Sequence, residues 1–215
     1  MQKFVALYGG SFNPSTEAHL AVGHAALASL NVDEVWYLVC PQNPFKPKEG
    51  MAPFDHRVAM ARLNVEDTPK LVVQDIEGQY ARNKPNGVIE TVETLQLLAV
   101  DFPQHRFVWT IGADNFADLH TWKNPQYITD NYPIAVVTRD KYTDAALKSP
   151  SAQKMPRLDK AQDLRTTNGW FLLNVNASGI AASLCREELE KGTIPAAMRP
   201  GVAQYALANR IYVPH

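Results

Sequence analysis

The stretch "YGGSFNPSTEAHLAVGHAAL", Tyr8 to Leu27, joins a short apolar run to a helical pattern through two glycines, a serine and an Asn-Pro pair. The run before it, "KFVALY" (3–8), has the composition of a strand. Gly9 and Gly10 allow a sharp turn and let the backbone approach a ligand with no Cβ in the way. Pro14 restricts the loop, and the following pattern predicts a helix from about Ser15 or Thr16. Unpaired N–H groups and the positive end of the helix dipole favour an anion at such a terminus. Thr16 and His19, three apart, share one face of the first turn. From the residues alone, the junction fits either a phosphate site or a well-capped βα turn, and His19 either a ligand contact or a structural residue. It matches neither GxGxxG nor GxxxxGK[ST].

Working outward, further β-rich runs recur at "EVWYLVC" (34–40), "KLVVQDI" (70–76), "RFVWTIG" (106–112), "PIAVVTR" (133–139) and "WFLLNV" (170–175). They lack clean alternation, as strands covered on both faces do. Between them, "EAHLAVGHAALASL" places Leu20, Ala21, His24, Ala25 and Leu27 near one stripe, "FDHRVAMARLNVED" offers Asp55 as an N-cap, and "GVIETVETLQLLAV" is helical in its second half. The tail predicts two more helices, broken at Gly192 and Pro195, while 140–168 is the most loop-like region. This alternation predicts an α/β fold: a parallel sheet with helices on both faces, in a single domain over 1–215 with a small helical C-terminal part at about 176–215. Ligands of such folds gather at the carboxyl ends of the strands, where strand order reverses.

Bulk properties exclude several classes. Of 215 residues, 46% are hydrophobic and 20% charged, with a formal net charge of −1. No basic field points to nucleic acid and no polybasic face to a membrane, so a few local groups must hold any anionic ligand. Cys40 and Cys185 lie on unrelated segments without CxxC or His/Cys metal spacing. A reduced cytoplasmic setting is expected, with neither a disulfide framework nor a zinc site, and Cys40 is expected as a buried strand end. The first ten residues, "MQKFVALYGG", are too short an apolar run for a signal segment, and nothing approaches a membrane span in length.

Three motifs carry a resemblance. "GGSFNPSTEAHL" resembles the GG[ST]F[DN]PxHxGHL signature of the HxGH nucleotidyltransferases, Rossmann-like enzymes that bind a nucleoside triphosphate at this turn. Two positions depart from it. Thr16 stands where the first His usually stands, as in the phosphopantetheine branch, and Ala18 replaces the Gly. "TIGADNFADLHTWKNPQYI" (110–128) resembles the GADN and WK segment of bacterial nicotinate-nucleotide adenylyltransferases. "SGIAASLCREEL" is similar to the family's ISSTxIR, keeping Ile180, Ser183 and Arg186 but carrying Ala181 and Ala182 in place of two serines. "PQNPFKPK" with Lys46, "FDHRVAM" with Arg57, "TVETL" with Thr91 and "VVTRDKY" with Arg139 fall in the family's order, so the likeness spans nearly the whole chain.

The resemblance implies transfer of AMP from ATP to nicotinate mononucleotide, in NAD biosynthesis, with Mg²⁺ arriving on the ATP. It implies that Gly9, Gly10, Ser11, Phe12, Thr16, His19, Gly112, Asp114, Ser183 and Arg186 hold ATP. Lys46, Thr91, Trp122 and Arg139 would hold the pyridine mononucleotide, and His19, Thr16, Lys46 and Arg186 would act on the phosphates. Ser183 reads equally as an N-cap, Trp122 also as a core aromatic, and His120 as structural. The partners implied are ATP and a pyridine mononucleotide, with no nucleic acid or membrane and room for a homo-oligomer. Two alternatives stand beside this: a sister enzyme using another acceptor such as nicotinamide mononucleotide, and a non-catalytic nucleotide-binding relative.

Overall fold

In the computed structural model, residues 2–42, 49–82, 84, 86–139, 141–176 and 180–213 are described. All six β-rich runs form strands: β1 (Phe4–Gly10), β2 (Glu34–Val39), β3 (Leu71–Gln74), β4 (Arg106–Gly112), β5 (Ile134–Val137) and β6 (Trp170–Leu173). They make one six-stranded parallel sheet in the order β3-β2-β1-β4-β5-β6. Residues Phe4 to Tyr8 of β1 pair in register with Arg106 to Thr110 of β4. Strand order reverses at this β1–β4 pair, so the residues after Gly10 and after Gly112 leave the sheet at the strand ends where α/β ligands bind. The expected Rossmann-like sheet is the observed one. β1, β2, β4 and β5 are buried nearly throughout, which is why their apolar runs show no alternation.

The helices are α1 (Glu17–Ser29), α2 (Phe54–Val65), α3 (Ile76–Ala81), α4 (Thr91–Asp101), α5 (Ala113–Asp118), α6 (Pro125–Asn131), α7 (Thr143–Leu147), α8 (Pro150–Lys154), α9 (Ala182–Glu190) and α10 (Pro200–Ala208). Several details depart from the sequence expectations. α1 starts at Glu17, and its buried residues are Val22, Gly23 and Ala26, while His24 is exposed. Apolar residues run round most of this helix, so periodicity does not identify its inner face. Pro53, not Asp55, is the N-cap of α2; Asp55 sits in the first turn, where its charge complements the dipole. The loop-like 140–168 region contains α7, α8 and a 3₁₀ turn (Ala161–Arg165), each too short to show a helical period. Cys40 is half-buried just beyond β2, and neither cysteine is in a disulfide among the described residues.

Two compact units divide the chain: residues 1–9, 22–36 and 90–176, and residues 10–21, 37–89 and 177–215. In the first, β1 and β4 to β6 carry a core that includes Leu7, Trp109, Ile134 and Leu173. Helix α4 is started there by a reciprocal cap, in which the Glu90 N–H donates to Glu93 Oε2 at 3.1 Å. In the second, α2 gives Met60, α9 gives Cys185 and Leu189, and α10 gives Val202, Ala203 and Ala206 to one apolar cluster. Cys185 and Leu189 are four apart, which places both on the same side of α9. The two C-terminal helices read from the sequence thus share one apolar cluster with α2, α10 packing directly on it.

Candidate active site

In the second unit, the loop after β1 is held from several directions. Phe12 has a positive φ of 46°, and Ser11, Phe12, Asn13, Ser15 and Thr16 are all buried. Asn13 Nδ2 donates to the Gly50 carbonyl at 2.9 Å, and Asn13 Oδ1 accepts from the Ala52 N–H at 3.0 Å and the Tyr212 hydroxyl at 2.6 Å. Arg186 Nη1 donates to the Asn13 carbonyl at 2.7 Å. Asn64 Nδ2 reaches both Ser15 Oγ and the Thr16 carbonyl at 3.0 Å. The Glu17 N–H, the first of α1, donates to the Ala197 carbonyl at 2.9 Å. That donor, expected to be open to an anion, is taken by the protein, although the dipole remains.

His19 sits in the first turn of α1, half-buried. Its Nδ1 accepts from the Thr16 N–H at 3.0 Å and lies 2.8 Å from Thr16 Oγ1. The Phe12 ring is 5.0 Å from the imidazole, and the Tyr37 hydroxyl donates to the His19 carbonyl at 2.8 Å. Thr16 is only 1% exposed, so its hydroxyl turns onto His19. Arg186 keeps donors beyond the one on Asn13 and is half-buried on α9. Ser183 is exposed and second in α9, whose N-cap is Ala181 without a side-chain bond; Ser183 is therefore not the cap. Lys46 lies outside the described residues.

Arg57 is the residue here whose role sequence reading missed. It is 1% exposed, and four of its five guanidinium N–H groups donate to main-chain oxygens. Nε donates to the Ala52 carbonyl at 2.9 Å, Nη1 to those of Ser11 and Cys40 at 2.7 Å, and Nη2 to that of Pro41 at 2.6 Å. Among the described residues no carboxylate pairs with it, and burial lowers its pKa from the ordinary arginine value. The available signal was its spacing. Arg57 lies three and four residues before buried Met60 and Ala61, on the face that α2 turns inward.

In the first unit, the corresponding turn follows β4. A Cβ on Gly112 would stand 2.4 Å from Asp114 Oδ1 and 3.1 Å from Arg139 Nε, so only glycine lets these side chains fold over the turn. Asp114 Oδ2 pairs with Arg139 Nη1 at 3.3 Å, while the buried Oδ1 has no protein hydrogen-bond partner among the described residues and can accept from a ligand hydroxyl. Burial, with Asp114 adding and Arg139 opposing, pushes the Tyr8 hydroxyl up to about 12, so it stays a neutral phenol. Gly9 also lies in this unit, where a Cβ would meet the Trp109 ring at 2.8 Å. Trp122 is half-buried at the end of a 3₁₀ turn (Leu119–Thr121), not in the core. Lys123 Nζ, 3.1 Å from Glu93 Oε1, ties that loop to the first turn of α4, which bears Thr91. His120 is exposed, its Nδ1 3.0 Å from the Ala117 carbonyl.

Gly112→Ala is expected to spread Asp114 and Arg139 apart while changing thermal stability little, because both belong to partly exposed side chains that can rotate away from the new methyl. Isothermal titration should show nucleotide binding weakened by about tenfold, the equivalent of one lost hydrogen bond of about 1.4 kcal/mol. Unchanged affinity would separate Asp114 from the nucleotide.

The profile of a family described as cytidylyltransferase-like matches residues 7–188. Among similar sequences, a protein of Parvibaculum lavamentivorans named "Probable nicotinate-nucleotide adenylyltransferase" is 46% identical over 69% of this chain and 70% of its own. A protein of Gluconobacter oxydans with the same name is 38% identical over 85% of this chain and 93% of its own. Of solved structures, Plasmodium falciparum nicotinic acid mononucleotide adenylyltransferase complexed with NaAD superposes with a TM-score of 0.73, at 20% identity, over 98% of this chain and 97% of that one. That last likeness concerns the fold. The chain belongs to the cytidylyltransferase-like family, in its nicotinate-nucleotide adenylyltransferase branch.

Proposed function

We propose that this chain transfers the adenylyl group of ATP to nicotinate mononucleotide, releasing pyrophosphate and forming a dinucleotide. The observation that carries the proposal is the likeness to the Gluconobacter oxydans relative, spanning 93% of that protein at 38% identity. A mononucleotide phosphate oxygen attacks the α-phosphorus of ATP; the new P–O bond forms as the bond to the bridging oxygen of the leaving pyrophosphate breaks. The attacking phosphate is already ionised, so the protein needs no strong general base and works by orientation and charge stabilisation.

In this proposal the loop from Gly9 and Gly10 through Ser11 and Phe12 lies against ATP, with His19 donating to a phosphate oxygen and Arg186 adding charge-assisted donors. Asp114, beside Gly112, receives a ribose hydroxyl through its free Oδ1. Ser183 is assigned to the phosphates, and Lys46, Thr91, Trp122 and Arg139 to the mononucleotide. Among the described residues there is no group of three or more His, Cys, Asp or Glu side chains able to hold a metal ion. The divalent cation, Mg²⁺, is assigned to the triphosphate, with which it arrives as part of the substrate. No helix among the described residues is long and apolar enough to cross a membrane.

The test is pyrophosphate release with Mg²⁺ and ATP in the presence of nicotinate or nicotinamide mononucleotide. Turnover with nicotinate mononucleotide is expected; ATP binding with no turnover on either acceptor would favour a binding protein, and turnover on nicotinamide alone a sister enzyme. In the same assay Trp122→Ala is expected to raise the KM for the mononucleotide about tenfold or more while leaving that for ATP nearly unchanged, as for a lost stacking contact. An equal loss for both ligands would assign Trp122 to support of the fold.

A further inference from the structure

We propose that Thr16 is a positioning residue that holds His19 in the tautomer with its proton on Nε2. Two contacts carry this. The Thr16 N–H lies 3.0 Å from His19 Nδ1, and a main-chain amide can only donate, so Nδ1 is the acceptor. A neutral imidazole whose Nδ1 accepts carries its proton on Nε2. The Thr16 hydroxyl, 2.8 Å from the same nitrogen, then has one consistent role: its O–H also donates to Nδ1. Thr16 is 1% exposed, and its carbonyl is held by Asn64, so the residue that makes both contacts is itself fixed. The Phe12 ring and the Tyr37 hydroxyl, on the imidazole and the His19 carbonyl respectively, fix the rest of the histidine.

The consequence is chemical. His19 meets a phosphate as a neutral Nε2–H donor with its orientation set in advance, which removes a reorientation step from the reaction. Thr16, which stands at the position of the family's first imidazole, acts through its neighbour rather than on the substrate. This inference rests on the adenylyl-transfer reading for its functional part, but not for its structural part.

Side-chain ¹⁵N spectra of the histidine-labelled, ligand-free protein, with His19→Gln assigning the signal, report the tautomer directly. Wild-type protein is expected to show the Nε2–H pattern. Thr16→Val, which removes the hydroxyl and leaves the main-chain N–H as the remaining Thr16 donor to Nδ1, should raise the share of the Nδ1–H form measurably and lower kcat about tenfold with the KM for ATP within about twofold. Thr16→Ser should restore both the spectrum and most of the rate. An Nδ1–H pattern in the wild type, or a Thr16→Val protein with unchanged spectrum and kcat, would overturn the proposal. Because the spectra need no substrate, a wild type that shows the Nε2–H form without turnover would sink the adenylyl-transfer reading and leave the tautomer assignment standing.

Discussion

Arg57→Leu is expected to destabilise the protein by about 3–5 kcal/mol, the range found when one partner of a buried charged interaction is removed. The guanidinium supplies donors to four carbonyls, those of Ser11, Cys40, Pro41 and Ala52. Leucine keeps much of the volume but leaves those oxygens without their donor, at about 1–3 kcal/mol for each one that stays buried. Relief of the desolvated charge offsets part of that sum. For a chain of this length the loss corresponds to a fall in Tm on the order of 10 °C. Arg57→Lys should fall between the two, because an ammonium has the charge but not the planar fork that reaches three separate segments. Thermal and urea unfolding measure all three proteins. A change below about 1 kcal/mol for Arg57→Leu would mean that the loop finds other donors, and that Arg57 does not anchor it.

His19→Ala is expected to lower kcat/KM by at least about tenfold, or roughly 1.4 kcal/mol of transition-state stabilisation. Its stability effect should stay within about 1–3 kcal/mol, since the ring is half-buried and its loss leaves the Thr16 donors to Nδ1 without their acceptor. Steady-state kinetics in both substrates, beside a melting curve, separate these effects. Wild-type kinetics in a folded His19→Ala protein would make the imidazole a structural partner of Thr16 and nothing more.

Much of the architecture was legible along the chain. Strands covered on both faces leave long apolar runs, so all six were visible, with β4 read to its exact bounds. The glycines at 9 and 10 marked a turn where backbone or side chains approach closely. α4 was visible from the helical pattern in the second half of its run, while its Glu90–Glu93 cap came only from the structure. Where no local preference dominates, the sequence was silent or misleading. The inner face of α1 is chosen by what packs on it, and the five-residue helices at 143–147 and 150–154 are shorter than any period that could reveal them.

The sequence by itself determined the α/β class, the strand–turn–helix junction at Tyr8 to Leu27, and the motifs that place the chain in its family, because turn chemistry and hydrophobic runs are local properties. Only the tertiary structure decided what the polar side chains of the junction do. Arg57 lies 46 residues from Ser11, Arg186 173 from Asn13 and Tyr212 199 from Asn13, so no window of sequence contains both partners. Even Thr16 and His19, three apart, could have faced a ligand side by side; the burial of Thr16 turned its hydroxyl onto the imidazole instead. A hydrogen bond depends on direction as well as proximity, and direction is set by the packing of the whole loop.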